Sequence, residues 1–240
     1  DIAALEIKDL INAKTEIKDG CVVFNIEDLP DLCTLCYKSQ SVSRILFLFD
    51  YFKFNNNILK LANEKIGKID FSGWLDKNIS FAVRCIKIGN DDISTAEIEE
   101  KFGEFIINHI KKNKNYTQKV NLEEPDIAFL IYINNGSCYI GVDFSGFDLS
   151  KRGYKIFMHP ASLKGTIAYA LVRIAGFEKS DILLDPFAGS GIISIEAALF
   201  ASNFPINYYT KEKFAFLKFK PFNKIDFNKF FSRIDKKISR

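Results

Sequence analysis

Ten residues in the last third of the chain, Ile182-Leu183-Leu184-Asp185-Pro186-Phe187-Ala188-Gly189-Ser190-Gly191, restrict its possible folds more than any other stretch. Apolar residues that end in a carboxylate read as a short buried strand over 181–185. Two glycines one residue apart let the backbone turn sharply and approach a ligand with no side chain in the way. The apolar run 191–201 then reads as a helix. Strand, glycine turn and helix are the opening of a doubly wound α/β domain. Such sheets bind ligands at the carboxyl ends of their strands, facing the free N–H groups of the next helix.

The spacing separates two ligand classes. A dinucleotide fingerprint would place a third glycine at position 194, where Ser194 stands. The pattern Asp-x-x-x-Gly-x-Gly instead suits the zwitterionic amino-acid tail of S-adenosylmethionine lying over a tight turn. A plain strand-to-helix turn uses the same residues, and the glycine pair alone also permits a nucleotide-binding oxidoreductase.

Upstream the chain alternates helix and strand. Residues 3–13 and 29–37 have helical apolar spacing, 21–26 is a short apolar run, and 43–54 reads as a buried strand. Asn55-Asn56-Asn57 punctuates the chain and marks a boundary. A second unit follows with a strand over 79–88 and a helix capped by Ser94, with Glu97 completing a capping box. Its apolar stripe is Ile98, Phe102, Phe105, Ile106 and Ile110. Two strands, 126–133 and 138–144, are separated by the hairpin signal Asn134-Asn135-Gly136. A helix is expected over 161–175 before the glycine turn.

Charge is unevenly spread. From Lys211 onward there are ten basic and three acidic residues, whereas the rest of the chain has 23 basic against 27 acidic, so the body is not a dense basic coat. Five cysteines, an odd number, favour reduced thiols and a cytoplasmic setting over a disulfide framework. Cys33 and Cys36 form an unmatched CxxC, and His109 and His159 lie far apart, so no metal site is expected. Apolar runs such as 45–49 fall far short of the roughly 20 residues of a membrane span. The chain begins at Asp1 and ends in a charged helical pattern, and both ends read as cut.

Several blocks together resemble one family, the THUMP-domain class I S-adenosylmethionine-dependent RNA methyltransferases. Asp185-Pro186-Phe187-Ala188-Gly189-Ser190-Gly191 with Ile195-Glu196-Ala197-Ala198 is similar to its first cofactor motif, with Ala188 where Cys is usual. His159-Pro160-Ala161-Ser162-Leu163-Lys164 is similar to the segment preceding the catalytic domain. Phe81-Ala82-Val83-Arg84-Cys85, the stretch 119–126 and the long block 141–154 resemble the THUMP core, and Ala4-Leu5-Glu6-Ile7 resembles the ferredoxin-like module before it. Residues 203–222 resemble an insertion of the rRNA-modifying branch.

The resemblance implies an α+β N-terminal region, a ferredoxin-like module over 1–55 and a THUMP domain over 56–154. The start of an α/β Rossmann-type methyltransferase domain over 155–240 follows. It implies S-adenosylmethionine as cofactor, held by Asp185, Pro186, Phe187, Gly189, Ser190 and Gly191 together with Pro160, Ala161, Ser162 and Leu163. It implies structured RNA as partner, tRNA first and large-subunit rRNA second, methylated on guanine N2. Arg84, Lys87, Lys151 and Arg152 are the candidate phosphate contacts, with solvated surface charge as the plainer role of each. Tyr116, Phe144 and Tyr154 could stack bases or serve in the core. The family's catalytic Asn/Asp-Pro-Pro-aromatic loop does not occur after Gly191, so this chain is expected to lack methyl transfer by itself. A stand-alone THUMP RNA-binding module is the alternative.

Overall fold

The computed structural model describes residues 1–89, 93–155 and 162–239. The chain divides into two compact units that are not contiguous in sequence: 1–45 with 147–214 and 225–240, and 46–146 with 215–224.

The first unit opens with helix α1 (Ile2–Ile11), a hairpin of β1 (Thr15–Lys18) and β2 (Cys21–Phe24), and helix α2 (Pro30–Lys38). The hairpin turns on Asp19-Gly20, with Lys18 opposite Cys21 and Gly20 at φ 72°. That two-residue Asp-Gly signal is present in the sequence, but the charged run Thr15–Lys18 hides the first strand. Pro30 starts α2, where its missing N–H costs nothing. Cys33 and Cys36 of α2 are buried thiols.

The second unit is a five-stranded sheet. Its elements are β3 (Leu46–Lys53), α3 (Ile58–Ile66), β4 (Ser80–Ile88), α4 (Thr95–Lys114), β5 (Lys119–Val120), β6 (Ile127–Asn134) and β7 (Ser137–Asp143). Strand order is β3-β7-β6-β4-β5; β4 runs parallel to β5 and β6, and the other pairs are antiparallel. A parallel pair needs a crossover between its strands, and α4 supplies it between β4 and β6. The Ser94 side chain accepts the Glu97 N–H and caps α4, and Ile98, Phe102, Ile106 and Ile110 bury the expected stripe. Phe105 at the stripe's margin is half-buried. The β6–β7 turn is Asn135-Gly136, both with positive φ, and Asn134 stays in the ladder opposite Ser137. Phe144 is fully buried among Phe47, Trp74, Phe219 and Phe222, so it is a core residue. Short 3₁₀ turns at Ala215–Lys218 and Lys220–Phe222 bring the last two of those rings to this core.

The chain then completes the first unit with α5 (Gly165–Ile174), α6 (Ile192–Ala201) and α7 (Phe227–Asp235). The α5 and α6 helices pack on each other, with the Tyr169 ring against that of Phe200, and Ala168, Tyr169, Val172, Ile192 and Ala197 are buried. The α7 helix buries Phe230, Phe231 and Ile234, with Phe231 against Tyr37 of α2.

The strand expected over 181–185 is not formed. The segment lies outside regular structure, and Ile182 and Leu184 are 98% and 85% exposed. A buried parallel strand depends on ladder bonds from neighbours and on cover from both faces. Among the described residues no strand pairs with this segment. Apolar composition therefore produces no strand here.

Candidate functional site

The turn itself is well defined although the strand before it is not. The Phe187 N–H donates to Asp185 Oδ1 at 3.2 Å, a side-chain turn that points the chain away from the 182–184 run. The Gly191 N–H donates to the Ala188 carbonyl at 2.7 Å and closes the bend. Gly189 and Gly191 both adopt left-handed backbone, φ 53° and 69°, where a side chain would be strained. A Cβ on Gly189 would find only the Phe187 carbonyl, at 3.8 Å, and one on Gly191 nothing within 4 Å. The space over the bend is open. Gly191 is the N-cap of α6 and offers no side chain to its first N–H groups, which leaves the positive end of the helix directed at that space.

The expected contributors are brought together in part. Ser162 Oγ lies 3.3 Å from Ser190 Oγ, which brings Ser162 to the turn. Lys155 Nζ donates to the Leu163 carbonyl at 2.6 Å. His159, Pro160 and Ala161 lie outside the described residues. Phe187 is 93% exposed at the rim of the bend.

Behind the turn is a buried polar network that sequence reasoning missed. Glu196, five residues along α6 from Gly191, has no exposed surface. Its Oε1 accepts from Arg152 Nε at 2.7 Å and from the Tyr154 hydroxyl; its Oε2 accepts from Arg152 Nη2 at 3.2 Å and Gln40 Nε2 at 2.6 Å. Arg152 also donates to the Leu149 and Gln40 carbonyls. The Gln40 N–H in turn donates to Glu6 Oε1 at 2.7 Å, and Ser41 donates to Glu6 Oε2. Burial pushes the Glu6 carboxyl above the usual carboxylate range, against the hydrogen bonds from Ser41 and Gln40. Burial and then the Glu196 carboxylate likewise push the Tyr154 hydroxyl up.

This geometry corrects one expectation. Arg152 is not a surface phosphate contact: its side chain is buried and its guanidinium is committed to Glu196 and two carbonyls. Lys151 beside it is exposed. Arg84 and Lys87 lie on opposite faces of β4, because side chains alternate along a strand, so they do not form one cluster. Arg84 lies along the Val83 and Leu122 carbonyls, and Lys87 Nζ reaches the Ile93 carbonyl at 2.8 Å. Tyr116, half-buried, lines an open depression of about 230 Å³ with Lys68, Phe71, His109 and Lys114. Among the described residues no group of His, Cys, Asp or Glu is placed to hold a metal, and no helix is long and apolar enough to cross a membrane.

Two stretches of the chain match models of known domain families. The family model described as UPF0020, RMKL-like, methyltransferase domain, matches residues 152–234, and the THUMP domain model matches residues 62–143. A tRNA (guanine(6)-N2)-methyltransferase of Methanocaldococcus jannaschii is 33% identical over 195 residues, 81% of this chain and 51% of that protein. A protein of the same description from Archaeoglobus fulgidus is 36% identical over 138 residues, 57% of this chain and 35% of its own length. The chain thus spans about half the length, or less, of these relatives. Among solved structures, that of SMU.472 complexed with SAH superposes with a TM-score of 0.79 at 18% identity, covering 99% of this chain and 62% of that one. A THUMP domain match thus precedes an RMKL-like methyltransferase domain match along this chain, and the glycine turn lies inside the second.

Proposed function

We propose that the parent protein is an S-adenosylmethionine-dependent RNA methyltransferase acting on guanine N2 of tRNA, and that this chain carries its RNA-holding region and its cofactor turn. The observation that carries the reading is the open bend 185–191, with left-handed Gly189 and Gly191 ahead of the uncapped N-terminus of α6. The N–H groups that begin α6 suit the methionine carboxylate. Ser162 and Ser190 border the bend, and the segment 160–163 would line the methionine end. The cofactor supplies an electrophilic methyl group when bound. The chain's own part is to seat the amino-acid tail and leave the methyl end facing the RNA.

The relatives named for tRNA guanine-N2 methylation support tRNA as substrate, and the SAH complex of the structural neighbour supports the cofactor class. The region matched by the THUMP domain model, residues 62–143, would hold the RNA through phosphate contacts that include Arg84 and Lys87, and Lys151 would add to them. The setting we propose is the cytoplasm. An Asn/Asp-Pro-Pro-aromatic tetrapeptide is absent from 192–240, so the 240-residue chain should bind without turnover.

Calorimetric titration with S-adenosylhomocysteine tests the turn: saturable binding that Gly189→Val abolishes is expected, and wild-type-like binding by that variant would exclude the turn as the site. Binding of tRNA transcript that weakens steeply with salt tests the RNA-holding role. Equal binding at 50 and 400 mM salt, assay conditions chosen on the order of the range where counterion release is large, would exclude phosphate-led contact. Methyl transfer to large-subunit rRNA but not tRNA by the parent would move the substrate to the ribosome.

A further inference from the structure

We propose that Arg152 and Glu196 are positioning residues for the cofactor turn, an ionic latch through which Gln40 and the Arg152-Gly153-Tyr154 segment set the place of α6 and hence of the bend at its head. The proposal rests on the reading of that bend as the adenosylmethionine site.

Three observations converge on it. First, both oxygens of one buried carboxylate are fully engaged, by Arg152 through two nitrogens, by the Tyr154 hydroxyl and by Gln40. Second, Gln40 Nε2 reaches the main-chain carbonyl of Glu196, at 3.1 Å, as well as its side chain. Holding one residue by backbone and side chain together restrains both the rotation of a helix and its slide along its axis. Among the described residues, the other buried positions of α6 are Ile192 and Ala197, whose side chains are apolar and form no hydrogen bond. Third, the latch has a seat built for it. A Cβ on Gly165, the first residue of α5, would lie 2.4 Å from Arg152 Nε and 2.7 Å from Glu196 Oε1. Only glycine there lets the pair lie against the α5 backbone.

The distance from latch to bend is short. Glu196 is five residues from Gly191, just over one helical turn at 3.6 residues per turn, and the Ile195 N–H donates to the Gly191 carbonyl. A small rotation of α6 therefore moves the first N–H groups that face the ligand space. A surface ion pair would yield under such a load, but a desolvated bidentate pair is directional. The residue that looked like an RNA contact thus acts on the cofactor side.

The test uses the purified chain with Tyr154→Phe and Arg152→Lys, which weaken the latch while keeping ring or charge, and S-adenosylhomocysteine as the probe. Calorimetry, thermal unfolding without ligand, and amide hydrogen exchange at residues 187–192 are read on each. The expected result is a loss of affinity on the order of tenfold, with faster exchange at 187–192 and unchanged exchange in α2. If the variants unfold at lower temperature yet bind with wild-type affinity, and exchange at 187–192 does not move, the latch only stabilises the fold and the proposal is overturned. If the wild-type chain binds no S-adenosylhomocysteine, the reading of the bend fails instead. Exchange at 187–192 then still decides whether the latch positions the turn.

Discussion

Tyr37 and Asp235, 198 positions apart, share a 2.6 Å hydrogen bond from the phenol to Oδ1. Lys211 Nζ takes the other carboxylate oxygen at 2.6 Å and lies 5.4 Å from the centre of the Tyr37 ring. Phe231 packs its ring 4.8 Å from that of Tyr37. One buried tyrosine on α2 thereby ties down α7. Tyr37→Phe keeps the packing and removes a hydrogen bond to a charged group, which contributes about 2 kcal/mol. Urea unfolding should show a lower midpoint, and an unchanged midpoint would mean that water replaces the phenol without loss.

Gly165→Ala reverses a general rule. Alanine in a helix is favoured over glycine by about 1 kcal/mol. Here the new methyl would collide with Arg152 and Glu196, and overpacking of this kind costs about 1–3 kcal/mol. The variant should be less stable by thermal unfolding. A raised melting temperature would show that the buried pair can shift aside freely.

Glu6 gives a pH signature. Its folded pKa is raised, so between its ordinary value near 4.5 and the folded value the native state holds a proton that the unfolded chain has released. The stability it contributes is full below that ordinary value and is lost as pH rises through the folded one, with a slope of at most about 1.4 kcal/mol per pH unit. Glu6→Gln removes this dependence. Urea midpoints from pH 4 to 8 (range set by an ordinary carboxyl near about 4.3) should therefore fall more steeply for wild type than for the variant. Parallel curves would contradict it.

Thiol reactivity should follow burial. Burial pushes the Cys33 and Cys138 thiols up, and burial with the nearby Glu99 carboxylate pushes Cys85 up to about 12. At pH 8 the Cys85 thiolate is then about one part in ten thousand, and the thiolate is the reactive form. Native protein treated with a disulfide reagent at that pH, then mapped by mass spectrometry, should show Cys33, Cys85 and Cys138 unlabelled. Rapid labelling of Cys33 would require α2 to open.

Much of the molecule is legible in its linear order because local rules act there. The Ser94 cap, the stripe Ile98–Phe102–Ile106–Ile110 and the Asn135-Gly136 turn are each specified within a few residues, and each forms as expected. The bend at Gly189 and Gly191 is of the same kind, since left-handed backbone calls for glycine whatever surrounds it.

Arg152 and Leu184 show where that reach ends. Lys151 and Arg152 are adjacent cations that read alike; one is exposed, and the other is buried against a carboxylate 44 positions away. Ile182, Leu183 and Leu184 have the composition of a buried strand and no strand to pair with among the described residues. The sequence by itself determined the Ser94-capped helix, the Asn135-Gly136 hairpin and the glycine bend, because their hydrogen bonds and backbone angles are settled between near neighbours. Only the tertiary structure decided which charge is buried and which apolar run stays unpaired. Burial and strand pairing depend on partners that the fold brings from distant positions.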